Sequence, residues 1–211
     1  ILYYLAENLS ARTVEFTNNL QLLTGRADAK TEVEASIQRL FFYAAWADKF
    51  DGSARSVPLK AIALVMNEAI GNCSVICDDR YPLLGFISAM APLFATGNRS
   101  IIIPSEPFSP IVTDFYQVLD TSDVPPGTVN ILTGKHTDLA LELASHMDIE
   151  SVWSFSTSDV SRDIEKASVS NLKRTWVSNG EKRDWYNEES QGKQFLTNST
   201  ENKTIWIPYG E

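Results

Sequence analysis

The stretch Ser74 to Phe86, SVICDDRYPLLGF, sets Asp78, Asp79 and Arg80 where a strand-like apolar run turns into a helix. Carboxylates and a guanidinium at such a junction could exchange protons or hold an anion. Asp near a helix start more often caps that helix, and capping of the segment after Pro82 is the expectation here. Cys73 and Cys77 are the only cysteines. Four apart on one strand they would lie about 13 Å apart at ~3.3 Å per residue, beyond the ~7 Å that a disulfide spans. They are expected to be free, small core residues. Free thiols and the lack of a secretory signal point to a cytoplasmic setting. His136 and His146 flank the segment TDLALELAS with no carboxylate or thiol at metal spacing, so both are expected at the surface and no metal site is expected. Trp46, Trp153, Trp176 and Trp185 read as core or interface anchors, and Trp206 as a residue that meets a partner. Sequons such as Asn198-Ser199-Thr200 read as chance in an Asn/Ser/Thr-rich chain.

These residues need a scaffold, and the composition allows a sizeable one. The 211 residues are 44% hydrophobic and 21% charged, enough for one large domain, or one domain with an appendage. The net charge of −9 argues against a nucleic-acid surface, which needs clustered Lys and Arg. No apolar run reaches the ~18 residues of a membrane span, so no membrane partner is expected. The first residue is Ile1 rather than Met, which suggests a piece of a longer protein.

Leu5, Leu9, Phe16, Leu20 and Leu23 recur at helical spacing over residues 2–23, with Gly25 as the stop. Val33, Ile37, Leu40, Phe41, Ala44 and Ala47 repeat the pattern over 31–50. KAIALVMN and NCSVICDD flank EAIG and read as a hairpin. From residue 83 helices and short apolar strands alternate: LLGFISAMAPLFATG then RSIIIP, SPIVTDFYQVLD then GTVNILTG, TDLALELASH then SVWSFS, DVSRDIEKAS then NLKRTWVS. Buried strands separated by helices predict a parallel, doubly wound sheet covered on both faces. The polar stretch DWYNEESQGKQFLTNSTENK follows, and TIWIPYG reads as a terminal edge strand because it contains Pro208.

Several strings in this order resemble the aldehyde dehydrogenase superfamily. ATGNRSIIIPSE, VPPGTVNILTG and NLKRTWVSNGEK resemble family strings that read roughly A-x-G-N-x-V-V-x-K-P-S-E, L-P-x-G-V-V-N-V-V-x-G and N-L-K-x-V-x-L-E-L-G-G-K, and TENKTIWIP resembles the family's last strand. With YAAWADKFDG and WIPYGE, the likeness extends to the truncated second domain of the tandem, family-sixteen aldehyde dehydrogenases. The resemblance implies an α/β fold: a Rossmann-like doubly wound parallel sheet, a β-hairpin and C-terminal strand of the oligomerisation type, and no catalytic domain. Residues 1–58 and 78–187 would form the cofactor-type domain and 59–77 with 203–211 the oligomerisation strands. The polar connection 188–202 would stand where the catalytic domain is inserted.

The resemblance also implies what each site position has become. The family's oxyanion-holding Asn falls on Arg80, and its ribose-binding Lys on Ile103, while Ser105 and Glu106 remain. The phosphate turn is Phe155-Ser156-Thr157-Ser158, with Thr157 where a glycine lets backbone and pyrophosphate approach. The string holding the general-base Glu reads Ser178-Asn179-Gly180-Glu181, and Glu181 falls on a glycine position. The family's nucleophilic cysteine lies downstream in the catalytic domain, yet no cysteine follows Cys77. Without a thiolate no hemithioacetal forms and no hydride is released. The resemblance therefore implies no catalytic residue in this segment and no cofactor expected for it, with NAD(P) a cofactor of the parent protein. Vestigial cofactor contacts would be Ser105, Glu106, Gly134, Phe155 and Ser156. Ile62, Leu64, Met66, Ile205, Trp206 and Ile207 would form an interface for self-association, or for docking to a complete aldehyde dehydrogenase domain of the same polypeptide. The expected function is a non-catalytic pseudo-aldehyde-dehydrogenase domain used in assembly. The alternatives are a residual NAD(P)-binding module, or part of an active NAD(P)-dependent enzyme whose catalytic residues lie in another domain.

Overall fold

The computed structural model describes residues 1–209. Three helices open the chain: α1 (Leu2–Ala11), α2 (Thr13–Thr24) and α3 (Ala29–Trp46). The single helix expected over residues 2–23 is two, because Arg12 leaves helical geometry with φ −104° and ψ 16°. The break lets both short helices lay their buried leucines and Phe16 against α3. Gly25 ends α2 in the left-handed region, at φ +69°, where its N–H reaches the Gln21 carbonyl oxygen.

Five parallel strands form the body: β3 (Asn72–Ile76), β4 (Arg99–Ile103), β5 (Val129–Ile131), β6 (Ser151–Ser154) and β7 (Arg174–Val177). Their spatial order is β5-β4-β3-β6-β7, so the chain winds outward one way from β3 and then returns to wind the other. The crossovers run through α4 (Pro82–Ala95), the short pair α5 (Pro110–Asp114) and α6 (Tyr116–Asp120), α7 (His136–Ser145) and α8 (Ser158–Ser168). Successive strand residues supply opposite faces. Val75, Ile102 and Trp153 enter the core shared with α1–α4, whereas Ile76, Ile103 and Val152 enter a second core under α7 and α8. The doubly wound sheet expected from the alternating segments is present.

The remaining strands build a separate antiparallel arm, β1-β2-β8, from β1 (Ser53–Ser56), β2 (Ala61–Ala69) and β8 (Thr200–Pro208). Here the hairpin reading needs correction. KAIALVMN does not pair with NCSVICDD; it pairs with β1 on one side and β8 on the other. Asn72–Ile76 instead becomes the central strand of the body. Cys73, Ser74, Val75 and Ile76 are buried on both faces, as a central parallel strand requires and an arm strand does not. Gly71, at φ +130°, redirects the chain between the two sheets. The hairpin is thus β1–β2, and β8 begins at Thr200 within the connection expected over 188–202. That connection also carries α9 (Lys193–Asn198), whose Phe195 and Leu196 are buried in the body. The expected strand 203–211 is described as far as Pro208; Gly210 and Glu211 lie outside the described residues.

Candidate functional site

In an open parallel sheet, ligands bind beyond the carboxyl ends of the strands where the winding direction reverses. Here that point lies between β3 and β6. A cleft of about 170 Å³ lies there, lined by Asp78–Arg80 after β3, Phe155–Thr157 after β6 and Gly180–Lys182 after β7. Gly180 lets the β7 loop close against the β6 turn: its φ is +79°, and a Cβ there would stand 3.0 Å from the Ser158 backbone nitrogen.

Three charged groups of this cleft, Asp78, Asp79 and Arg80, are engaged within the chain. Asp78 is 7% exposed, so it is not the solvated cap expected for α4. Its carboxylate accepts from Arg80 Nη2 at 2.6 Å, from the Arg80 backbone N–H at 2.9 Å and from Trp185 Nε1 at 3.1 Å. Arg80 Nη2 also donates to the Arg183 carbonyl oxygen at 2.9 Å. Arg80 is therefore tied both to Asp78 of its own loop and to the loop after β7.

The cap of α4 comes from Glu32, a residue the sequence reading passed over. Its Oε1 accepts from the N–H groups of Leu83 and Leu84 at 2.9 and 3.1 Å, and its Oε2 from Arg26 Nη1 at 2.7 Å. Burial pushes the Glu32 carboxyl up, while these donors pull it back. A signal for it exists: Glu32, Ser36 and Leu40 share one stripe of α3, and an acid in a buried stripe needs donors. Arg39, from the same helix, donates to Ser88 Oγ, to the Ser190 carbonyl oxygen and, at 2.8 Å, to the Trp185 carbonyl oxygen. Burial lowers its pKa to about 10.

The structure brings some of the expected cofactor residues together. Asp79 Oδ1 accepts from the Glu106 N–H at 2.8 Å, and Glu106 Oε2 accepts from the His136 N–H at 2.9 Å, the first residue of α7. His136 is not the surface residue expected. It is 4% exposed, with Nε2 2.7 Å from the Pro104 carbonyl oxygen and Nδ1 3.2 Å from Ser156 Oγ. A carbonyl only accepts, so Nε2 donates to it; in the neutral ring Nδ1 then accepts from the serine hydroxyl. His146 is exposed, as expected. Asp79, Glu106, His136 and Ser156 thus form one hydrogen-bonded row across the ends of β3, β4 and β6. Ser105 is buried and its hydroxyl has no partner among the described residues. Phe155 is packed edge-on against Trp176 and Trp185. Thr157 caps α8 by accepting from the Val160 N–H at 3.4 Å. Gly134 lies apart, between β5 and α7, where a Cβ would come within 2.8 Å of Leu139 Cδ1.

Cys73 and Cys77 are free and buried. Desolvation pushes the Cys73 thiol up to about 12 and raises that of Cys77 too, so both are protonated and unreactive at neutral pH. Among the described residues no group of three His, Cys, Asp or Glu side chains could hold a metal, and no helix is long and apolar enough to cross a membrane.

The expected interface residues lie on the arm but on two faces. Ile62 pairs with Ile207, Leu64 with Ile205 and Met66 with Lys203, so these side chains share one face. Trp206, 54% exposed, pairs with Ala63 on the opposite face. The residues of β8 from Glu201 to Pro208 are all exposed.

The folded body can be set beside known proteins. PnpE from Pseudomonas sp. WBC-3 superposes with a TM-score of 0.80 and 27% identity, covering 83% of this chain and 37% of its own; it has also been solved in complex with nicotinamide adenine dinucleotide. Lactaldehyde dehydrogenase from Escherichia coli shares the fold, with a TM-score of 0.79 at 21% identity. Omega-crystallin of Enteroctopus dofleini is 31% identical over 178 residues, 82% of this chain and 36% of that protein. Cytosolic 10-formyltetrahydrofolate dehydrogenase of Homo sapiens is 28% identical over 158 residues, 72% of this chain and 18% of that enzyme. The chain thus spans little more than a third of these relatives at most. A sequence profile described as the aldehyde dehydrogenase family matches residues 1–186, and the chain belongs to that family.

Proposed function

We propose that this chain is a non-catalytic domain of the aldehyde dehydrogenase type that serves assembly, joining copies of itself or a complete aldehyde dehydrogenase domain of the same polypeptide through its arm. The observation that carries this reading is β8: a nine-residue edge strand, exposed from Glu201 onward, with Ile205 and Ile207 beside Ile62, Leu64 and Met66 on one face. An exposed apolar edge is a template for a further strand. The family resemblance supports it, since it sets Arg80 and Glu181 in the oxyanion and general-base strings, and no cysteine follows Cys77 in these 211 residues. The setting that suits two buried free thiols is cytoplasmic. The test is molar mass in solution. Ending the chain after Asn202 should shift an associated species to a smaller one, and an unchanged mass would remove the arm from assembly.

A residual NAD(P) site is the second reading, favoured by the partnerless Ser105 hydroxyl and by the retention of Glu106. The surrounding residues fit a dinucleotide poorly. The Glu106 carboxylate already holds the His136 N–H, Ile103 offers no donor to a ribose, and the side chain of Thr157 stands at the phosphate turn. Calorimetry with NAD and NADP separates the two readings: saturable heat that weakens in Glu106→Ala supports the site, and no heat with either nucleotide removes it. The third reading, an active NAD(P)-dependent parent enzyme, predicts aldehyde oxidation by the whole polypeptide and none by this segment.

A further inference from the structure

Beside the crevice, sharing Phe155, Glu181 and Lys182 with it, strand β7 and the segment after it enclose a second cleft, of about 850 Å³, with Phe155 and Trp176 among its walls. Four rings meet beneath Arg183: Phe155 and Trp176 line the cleft, and Trp185 and Phe195 lie fully buried behind them. The centroid of Phe155 lies 5.4 Å from that of Trp176, Trp176 lies 4.9 Å from Phe195, Phe195 lies 6.4 Å from Trp185, and Trp185 lies 5.0 Å from Phe155. The four close into a cup. The Arg183 guanidinium carbon stands almost equidistant from them, 5.5 Å from Phe155, 5.6 Å from Trp176, 5.8 Å from Trp185 and 5.5 Å from Phe195.

Ring faces carry the negative part of the aromatic quadrupole, so four of them around one point attract a cation most when water is kept away. Arg183 fills that point on a light tether. Among the described residues its side chain donates one hydrogen bond, from Nη1 to the Glu189 carbonyl oxygen at 3.0 Å, and its place costs it solvation. The rim carries Glu181, Asp184 and Glu189 as well as Lys182, which gives an excess of negative charge at the mouth and carboxylates to receive a displaced guanidinium.

We propose that this cup is a binding site for a small organic cation with a quaternary ammonium or guanidinium head, and that Arg183 is its exchangeable internal occupant. An entering cation replaces one positive charge by another, so the cup stays neutralised while Arg183 moves to the acidic rim. A tethered occupant competes at a high effective concentration, so only ligands that out-compete it bind the unaltered chain tightly. This inference does not depend on the assembly role.

The test uses the whole chain and choline as the probe, read through the fluorescence of the cup's own tryptophans. Arg183→Ala should bind choline about ten-fold or more tightly than the unaltered chain. The neutral isostere 3,3-dimethylbutan-1-ol, which keeps the shape and lacks the charge, should bind neither. Adding Trp176→Leu to Arg183→Ala should abolish choline binding. If Arg183→Ala does not keep the circular dichroism of the parent chain, Arg183→Gln replaces it and is read the same way. Choline binding no tighter to the variant than to the unaltered chain overturns the proposal, as does an isostere that binds as well as choline.

Discussion

The body and the arm use the same apolar residue types to opposite ends. In the body, β3 lies between two strands and two helical layers, and its Cys73, Val75 and Ile76 are fully buried. In the arm, Ile205, Trp206 and Ile207 are paired by backbone on one side and exposed on the other. A strand buried on both faces is stabilised by its own chain. A strand with an open edge and exposed branched residues becomes fully stabilised only when something covers it. The difference teaches where mutations should be felt: as stability in the body, and as molar mass in the arm.

The sharpest way to break that division is Glu32→Ala. It leaves Arg26 without its buried partner and the start of α4 without its cap, and should lower unfolding stability by about 3–5 kcal/mol in denaturant titrations. A loss under about 0.5 kcal/mol would show that the body does not depend on this pair. The next effect is a pH limb. The Cys73 thiol has a folded pKa of about 12 against an ordinary value of 9.0, with desolvation the main cause, and Cys77 shifts in the same direction. A folded pKa above the unfolded one means that stability is complete below about pH 9 and falls as pH rises toward 12. Each thiol should contribute about 1.4 kcal/mol per pH unit inside that window. The double variant Cys73→Ala and Cys77→Ala should flatten the limb, leaving the part due to Tyr43 and Tyr186, whose hydroxyls burial also raises. The smallest effect on stability belongs to the arm. Ile205→Lys should change unfolding by no more than about 0.5 kcal/mol yet reduce the mass seen by light scattering. A large stability loss with unchanged mass would erase the distinction between the two regions.

What could be read in the sequence was what is local. The strings at strand ends, such as IIIPSE and SFSTS, identify turns because their geometry is set by neighbours in the chain, and the doubly wound sheet follows from them. Strand partnership is not local. KAIALVMN has the period of a strand, but nothing in its period states that its partners are Ser53–Ser56 and Thr200–Pro208 rather than the adjacent NCSVI. Side-chain commitments escape for the same reason. Glu106 could be recognised as retained, but that it meets the first N–H of α7 depends on the packing of two crossovers. His136 lies in a polar-looking segment and is buried because its ring spans from β4 to the turn after β6. The aromatic cup was legible only as scattered tryptophans; its four rings come from the turn after β6, from β7, from α9 and from the loop between β7 and α9.

The pairing of β2 with β8 has a kinetic side. Its register runs from Ala61 with Pro208 to Ala69 with Thr200, joining residues 131 to 147 positions apart. Closing so long a loop is slow compared with pairing neighbours. During synthesis β2 emerges well before β8 and stands with one edge open until β8 leaves the ribosome. In that interval the edge can be completed by β8 of another copy as well as by its own, and the two products carry the same hydrogen bonds. Concentration at the moment of folding, rather than any added contact, then selects between the closed chain and the exchanged pair.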